Sequence, residues 1–389
     1  MKTFGIIAEF NPFHNGHYYL IEQAKALNAT HIAVALSSNF VQRADAAIVS
    51  KFTRTKMALG CGADLVAELP VPFSMASAMT FSKGAIAILK NFCDALIFGS
   101  ECNDINKLNA VVQCLQSENY NKILKTSLNS GKTFAAIRES AVNSIIGSDS
   151  KILQNPNDTL AVEYMLAAAK QNAQIEFIPV KRVGAEHDSQ NATSNICSSS
   201  FIRANLDKCQ NFMPKSAYEI FIKEIKSGNI ADINELNLAL LANLRQKTAE
   251  DFKSIPDISE GLENRIAAAA ANATTLDEFY SIAKTKRYTL ARLRRIVLSS
   301  FLNINKEDSL LPLPYIRPLG ANTRGLEIIK NAKDKTIPIL TSLKDAEKIS
   351  DKAKRMAQLE AFSTDIYGLC LKNKHAAAAD YKYKFLKVK

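Results

Sequence analysis

The chain of 389 residues holds only five histidines and seven cysteines, and no Cys-x-x-Cys pair. Cys61, Cys93, Cys102, Cys114, Cys197, Cys209 and Cys370 are odd in number and scattered. That pattern excludes a disulfide framework or zinc knuckle and predicts free thiols in a reducing cytoplasm. No run of about 18 apolar residues occurs, so no membrane span is expected. The first residues carry Glu9 and no long apolar core, which argues against a secretory signal. Internal repeats are absent, and the alanine runs at 267–271 and 376–379 are the only low-complexity tracts. Acidic residues are outnumbered, 38 against 49 basic, giving net charge +11 and pI near 9.2. The excess favours a polyanionic partner such as nucleic acid, with a lysine-rich enzyme surface as the alternative.

What is present is concentrated at the start. Phe4 to Phe10 is an apolar run ended by Asn11-Pro12, which predicts a buried strand. After Gly16 the period changes: Tyr19, Leu20, Ala24 and Leu27 fall at helical spacing. His14 is thus expected in a strand-to-helix loop and His17 in the first helical turn. The free N–H groups and positive dipole end of that helix form an anion site. Two imidazoles beside it can donate to phosphate oxygens that gain charge during displacement. Gly16 lets a nucleotide approach the backbone. The alternatives are two surface histidines, or a His-x-x-His metal half-site. The second lacks a third ligand at usual spacing, since the other histidines are His31, His187 and His375.

Strands are expected at His31–Leu36, Asp64–Leu69, Ala95–Phe98 and Ile175–Lys181. They alternate with helices at Ser50–Gly60, Ser74–Phe92 and Leu160–Lys170, which argues for a parallel α/β sheet. Arg43, in the polar loop after the second strand, is a candidate for a phosphate or carboxylate. Gly99 ends the fourth strand on the crevice side. Asn157 caps a helix or contacts a ligand, and Arg182, Gly184 and His187 follow the fifth strand. The Ser/Asn-rich stretch Ser189 to Asn195 is expected to be a mobile loop. In Ile196-Cys197-Ser198-Ser199-Ser200-Phe201-Ile202-Arg203 the serines suit a helix N-terminus, and Arg203 one turn on can reach a phosphate. Paired with the histidine motif, this stretch makes a second half of one nucleotide site.

From about Leu206 onward helices are expected at Ala217–Ser227, Asp232–Ala249, Ser259–Ala273, Leu276–Ala283 and Thr289–Leu302. Lys284, Lys286, Arg287, Arg292, Arg294 and Arg295 put six cations in twelve residues around Tyr288. They suit phosphate contacts with base stacking, or a solvated helix face. Domains are drawn at 1–205, with a helical elaboration around 104–147, and at 206–389.

At these motifs the chain resembles the bacterial tRNA(Met) cytidine acetate ligases. The phrases are Phe10-Asn11-Pro12-Phe13-His14-Asn15-Gly16-His17, Asn39-Phe40-Val41-Gln42-Arg43, Glu68-Leu69-Pro70 and Phe98-Gly99-Ser100-Glu101. Lys181-Arg182-Val183-Gly184, Ser259-Glu260-Gly261-Leu262-Glu263-Asn264-Arg265, Lys286-Arg287-Tyr288-Thr289 and Pro314-Tyr315-Ile316-Arg317 extend the match. The loop after the second strand departs from the family pattern of glycines and a proline at Ser38, Ala44 and Ala46. The resemblance implies a Rossmann-like nucleotidyltransferase domain, with helices on both faces of a parallel sheet, followed by a helical domain. It implies that acetate and ATP, with Mg²⁺, form acetyl-adenylate and pyrophosphate, and that the acetyl group passes to N4 of the wobble cytidine of elongator tRNA(Met). Carried over, ATP lies against Ile7, Ala8, Glu9, Phe10, Asn11, Pro12, Phe13, His14, Asn15, Gly16, His17, Tyr18, Tyr19 and Leu20. Gly99, Asn157, Arg182, Ser198, Ser200 and Arg203 complete that set, with His14 and His17 catalytic. The rival readings are a metabolite adenylyltransferase making a dinucleotide coenzyme, and a non-catalytic RNA-binding protein with a vestigial nucleotide fold.

Overall fold

The computed structural model describes residues 1–127, 133–183, 195–259 and 261–388. Expectations placed on Gly184, His187, Glu260 and residues 189–194 lie outside them. The chain opens with β1 (Thr3–Ala8), α1 (Asn15–Ala26), β2 (His31–Ser37), α2 (Lys51–Gly60) and β3 (Leu65–Leu69). It continues through α3 (Ala78–Leu89), β4 (Ala95–Ser100), α4 (Pro156–Lys170), β5 (Glu176–Lys181) and α5 (Ser199–Ala204). Three helices at Ile105–Gln116, Glu118–Ser127 and Phe134–Ile146 fill the 104–147 stretch.

The sheet runs β5-β4-β1-β2-β3 with every neighbour parallel. The strands alternate their side chains between two cores. Phe4, Ile6, Val34, Leu36 and Val66 pack with Phe13, Ile21 and Met57 on the face of α1 and α2. Ala33, Ala35, Ala67 and Leu96 pack with Phe81, Ile86 and Val162 on the face of α3 and α4. The chain moves outward from β1 through β2 to β3, then returns to place β4 on the other side of β1. That reversal is a topological switch point, and ligands of open α/β sheets bind outside the strand ends there.

The 206–389 stretch is mostly helical but not wholly so. Among its helices are Lys215–Lys226, Asn237–Arg245, Leu262–Asn272, Leu276–Ala283 and α6 (Leu290–Phe301). Leu240, Phe252, Ile266, Phe279, Leu293 and Ile296 form a third core, which Phe40, Val71 and Met75 of the first half also enter. The chain then returns to the sheet with β6 (Pro318–Ala321), antiparallel to β3, and after α7 (Asp351–Cys370) with β7 (Leu386–Lys387) beside β6. The expected boundary at 205/206 is therefore crossed by the sheet itself. Neither strand is expected from the sequence, because Pro-Leu-Gly-Ala and a two-residue strand carry no alternating apolar pattern.

A buried ion cluster ties the returning segment to the first half. Lys51 Nζ lies 2.5 Å from Glu68 Oε1, 2.7 Å from Glu360 Oε1 and 2.5 Å from Asp380 Oδ2. Arg317 Nη1 adds contacts of 3.2 Å to Glu68 and 2.5 Å to Asp380. The Ser38 hydroxyl donates to Glu360, and Thr364 Oγ1 donates to Asp380 at 2.7 Å. Burial alone would lower the Lys51 pKa, but Asp380, Glu360 and Glu68 hold it above its ordinary value. With three carboxylates and two cations, one acid is disfavoured as an anion: burial and then Glu360 push Glu68 up to about 7. Among the described residues these three carboxylates form a cluster tight enough for a metal, and the Lys51 ammonium stands between them.

Candidate nucleotide site

The segment after β1 turns sharply before entering α1. Phe10 adopts φ +48, a left-handed conformation uncommon for a bulky residue. Arg203 Nη1 donates to the Asn11 carbonyl at 2.8 Å, and Asn11 Oδ1 accepts from Ile48 N–H at 2.7 Å. From beneath, the fully buried Arg54 donates to the carbonyls of Glu9, Ser37, Ser38 and Val49, clipping the strand ends of β1 and β2 together.

His14 is the N-cap of α1 and His17 its third residue, and each closes one half of a capping box. Gly16 N–H donates to His14 Nδ1 at 3.0 Å, and His14 N–H donates to His17 Nδ1 at 3.2 Å. Both Nδ1 atoms accept, so both rings carry their proton on Nε2, the nitrogen left for a ligand. The rings stack with centroids 3.8 Å apart, and Phe10 and Phe13 flank His17 at 4.8 and 5.6 Å. Burial, with the Arg182 charge, lowers the His14 pKa to about 3. Burial, His14 and Arg182 hold His17 well below its ordinary value. Each imidazole is therefore a neutral single donor aimed by the helix start.

A cavity of about 680 Å³ opens beside them at the switch point. Its lining includes Ile7, Ala8, Glu9, Phe10, Asn11, His14, Gly16, His17, Tyr19, Leu20, Gly99, Asn157, Arg182, Ser198, Ser200 and Arg203. Pro12, Phe13, Asn15 and Tyr18 do not line it. Phe13 is in the core, while Asn15 Nδ2 donates to the Asn195 and Asn211 carbonyls at 2.7 and 3.1 Å. Asn15 and Tyr18 instead border an open depression of about 700 Å³ with Lys25, Cys61 and Lys215, away from the histidines.

Gly16 has a more local reason than the one read from sequence. A Cβ there would lie 2.8 Å from His14 Cε1, so any side chain would displace the imidazole. At Gly99 a Cβ would come within 3.3 Å of Arg182 Cγ. Asn157 stands in the first turn of α4, where its Nδ2 donates to Glu101 Oε1. Ser198 caps α5 by accepting from Phe201 N–H at 3.1 Å, and α5 has only six residues.

Sequence reasoning missed several lining residues. Tyr164 and Ala291 carry no motif, Gln42 stands in the Asn39–Arg43 phrase with no role of its own, and Arg295, expected at the nucleic acid, reaches the rim from α6. Arg43 lines the cavity, as does Asp45 of the small Phe40–Val41/Asp45–Ala46 hairpin. Of the basic cluster, Lys284, Lys286, Arg287 and Arg294 are exposed, whereas Arg292 and Arg295 are half-buried. Arg292 donates to the Asp257 carbonyl and Ser259 Oγ, and Arg295 pairs with Asp257 at 2.6 Å. The guanidiniums of Arg287 and Arg292 lie 5.8 and 5.2 Å from the Tyr288 ring centre.

The chain is similar to known proteins in family, sequence and structure. The HIGH Nucleotidyl Transferase family model matches residues 1–382. The tRNA(Met) cytidine acetate ligase of Acetivibrio thermocellus is 36% identical over 398 residues, covering 96% of each chain. That of a Thermoanaerobacter species is 37% identical over 406 residues, covering 100% of each. Crystal structures of Thermotoga maritima TmcAL, one bound with alpha-thio ATP and one apo, superpose with TM-scores of 0.90 and 0.92 at 31% identity over the whole of both chains. A family model spanning nearly the entire sequence and full-length relatives above one-third identity lead to one conclusion: the chain belongs to the tRNA(Met) cytidine acetate ligases, within the HIGH nucleotidyl transferases.

Proposed function

We infer that this protein is an ATP-dependent ligase that uses acetate to acetylate N4 of the wobble cytidine in elongator tRNA(Met). The observation that carries the reading is the pair of neutral imidazoles held at the start of α1 inside the switch-point cavity. Acetate attacks the α-phosphorus in line, and pyrophosphate leaves. Charge grows on the phosphate oxygens, where the Nε2–H groups of His14 and His17 donate and the cations Arg182 and Arg203 lie near. Ser198 and Ser200 add hydroxyls on the same wall.

Mg²⁺ would enter with ATP: among the described residues there is no acidic cluster beyond the one Lys51 fills. Phosphate oxygens and water would then supply most of the ion's ligands. Bound there, it would neutralise phosphate charge.

The exposed Lys284, Lys286, Arg287 and Arg294 sit beside the α6 residues that reach the cavity rim, so a tRNA backbone held on them would bring the anticodon loop to the site. Functionally, residues 1–205 hold ATP, and the helical part of 206–389 holds tRNA. All seven cysteines are unpaired, and no helix among the described residues is long and apolar enough to cross a membrane, which fits work in the cytoplasm.

The test is pyrophosphate release from ATP. It should depend on acetate. Release driven instead by a nucleotide or phosphopantetheine would favour a coenzyme adenylyltransferase, and ATP binding without turnover would favour a vestigial fold.

A further inference from the structure

Formation of acetyl-adenylate leaves a second problem, which the phosphate-facing groups do not solve. The N4 amine of cytidine is a weak nucleophile, because its lone pair is delocalised into the ring. Once its nitrogen bonds to the acetyl carbon it carries an extra proton that must go to a base. The groups named for the phosphates cannot take it. His14 and His17 present Nε2–H, and Arg182, Arg203 and Arg295 are donors only.

We propose that Glu9 is the acceptor for the cytidine amine, orienting N4–H and taking its proton during acetyl transfer. The proposal rests on the ligase reading above. Glu9 follows the carboxyl end of β1, five residues before His14, and lines the same cavity as both histidines. It is half-buried, open to that cavity, and its Oε1 accepts from Gln42 N–H at 3.0 Å, which fixes the carboxyl's orientation. A carboxylate is the side chain that pairs with cytosine N4–H₂, a pure donor. Next to it the Gln42 side-chain Nε2 is buried without a partner among the described residues, an unsatisfied polar atom at a cavity wall awaiting an occupant.

The surroundings set the group's basicity. Burial raises the Glu9 pKa, while Gln42 N–H, Arg54 of α2, Arg203 of α5 and Arg43 of the loop after β2 pull it back. Tyr164 of α4 stands on the same cavity wall, and its own hydroxyl is held neutral by burial and the Glu9 charge. A partly desolvated carboxylate is a stronger proton acceptor than one in water. The step balances. The N4 lone pair forms the C–N bond, the bond from the acetyl carbon to the phosphate oxygen breaks, AMP leaves with that electron pair, and the N4 proton passes to Glu9 and then to solvent. Asp45 is the other carboxylate of the lining, on the hairpin beyond β2, and Glu22 of α1, paired with Lys25 at 2.8 Å outside the cavity, serves as the control.

The experiment measures two products from one reaction of enzyme, ATP, acetate and purified tRNA(Met): pyrophosphate, and N4-acetylcytidine by nucleoside mass analysis. Hydroxylamine trapping reports acetyl-adenylate that is made but not passed on. For Glu9→Gln the N4-acetylcytidine formed per pyrophosphate should fall by about a hundredfold or more, within the range for loss of a general base, with trapped acetyl hydroxamate rising. Glu22→Gln should leave that ratio as in wild type. Glu9→Asp, which keeps a base at shorter reach, should give a ratio between the two and keeps the test decisive if the Gln variant does not fold. A parallel loss of both products in Glu9→Gln and Glu9→Asp would make Glu9 an ATP-binding or folding residue, and an unchanged ratio would leave it no role in transfer. Either result overturns the proposal. Failure of the ligase reading is distinguishable, since wild type itself would then form no N4-acetylcytidine.

Discussion

His14 and His17 are useful because they are neutral. An imidazolium pair stacked at 3.8 Å beside Arg182 would be repelled, whereas two Nε2–H donors cost no charge burial. Substituting His17→Ala should preserve the helical circular dichroism and reduce acetate-dependent pyrophosphate release by about a hundredfold or more, the usual effect of losing one donor to a developing anion. Near-wild-type release would remove His17 from that role. The same neutrality shapes acid stability. His14 goes from an ordinary 6.5 when unfolded to about 3 when folded, so between those values the unfolded chain binds more protons. Its contribution is complete above about pH 6.5 and shrinks as pH falls, by roughly 2 kcal/mol at about pH 5. A His14→Gln variant should therefore lose less Tm than wild type between about pH 7 and pH 5. Equal losses would mean that His14 is protonated in the native state.

At the scale of elements, the parts legible in the sequence were those with local signals. β1 and α1 differ in period on either side of Asn11-Pro12, and the serines of 198–200 announce a helix start; these local cues placed the two halves of the site. Pairings across long separations were not legible. In the sequence Lys51 and Arg54 show only as basic residues of α2, because the carboxylates that hold Lys51 lie at Glu68, Glu360 and Asp380, and Arg54 is satisfied by backbone carbonyls. α7 escaped notice for a related reason: it buries Glu360, Ser363 and Thr364 as well as Leu359 and Tyr367, so its apolar face is interrupted. Lys51→Met should destabilise the protein by about 3–5 kcal/mol in urea unfolding, since it leaves buried carboxylates uncompensated. A change below about 1 kcal/mol would mean that the cluster is not what joins α7 to the sheet. The hairpin after β2 balances opposed terms. Ala44 sits at φ +55, which glycine adopts freely and alanine does not. Ala44→Gly relieves about 1–2 kcal/mol of backbone strain against about 0.5–1 for glycine's entropy and about 0.8 for the buried methyl, so stability should change by less than about 1 kcal/mol, and a loss above about 1.5 kcal/mol would show that Ala44 is not strained.

For the whole molecule, the +11 charge includes a group of exposed cations at the proposed tRNA surface. Exposed Lys284, Lys286 and Arg287 precede α6 and Arg294 stands on it, beside the Arg295 and Ala291 that reach the nucleotide cavity, which is why the tRNA backbone is proposed to lie there. Changing Lys286, Arg287 and Arg294 to Gln should weaken tRNA binding and lower the slope of log affinity against log salt by about one for each phosphate no longer neutralised. An unchanged slope would move the tRNA surface elsewhere.

The most direct test of the account feeds isotopically labelled acetate and ATP to the purified protein with tRNA(Met) and follows the label into digested nucleosides. The account predicts label in N4-acetylcytidine at the wobble position, with one AMP formed per acetyl transferred. Label that stays in free acetate while ATP is bound, or that requires a different acceptor, would contradict it.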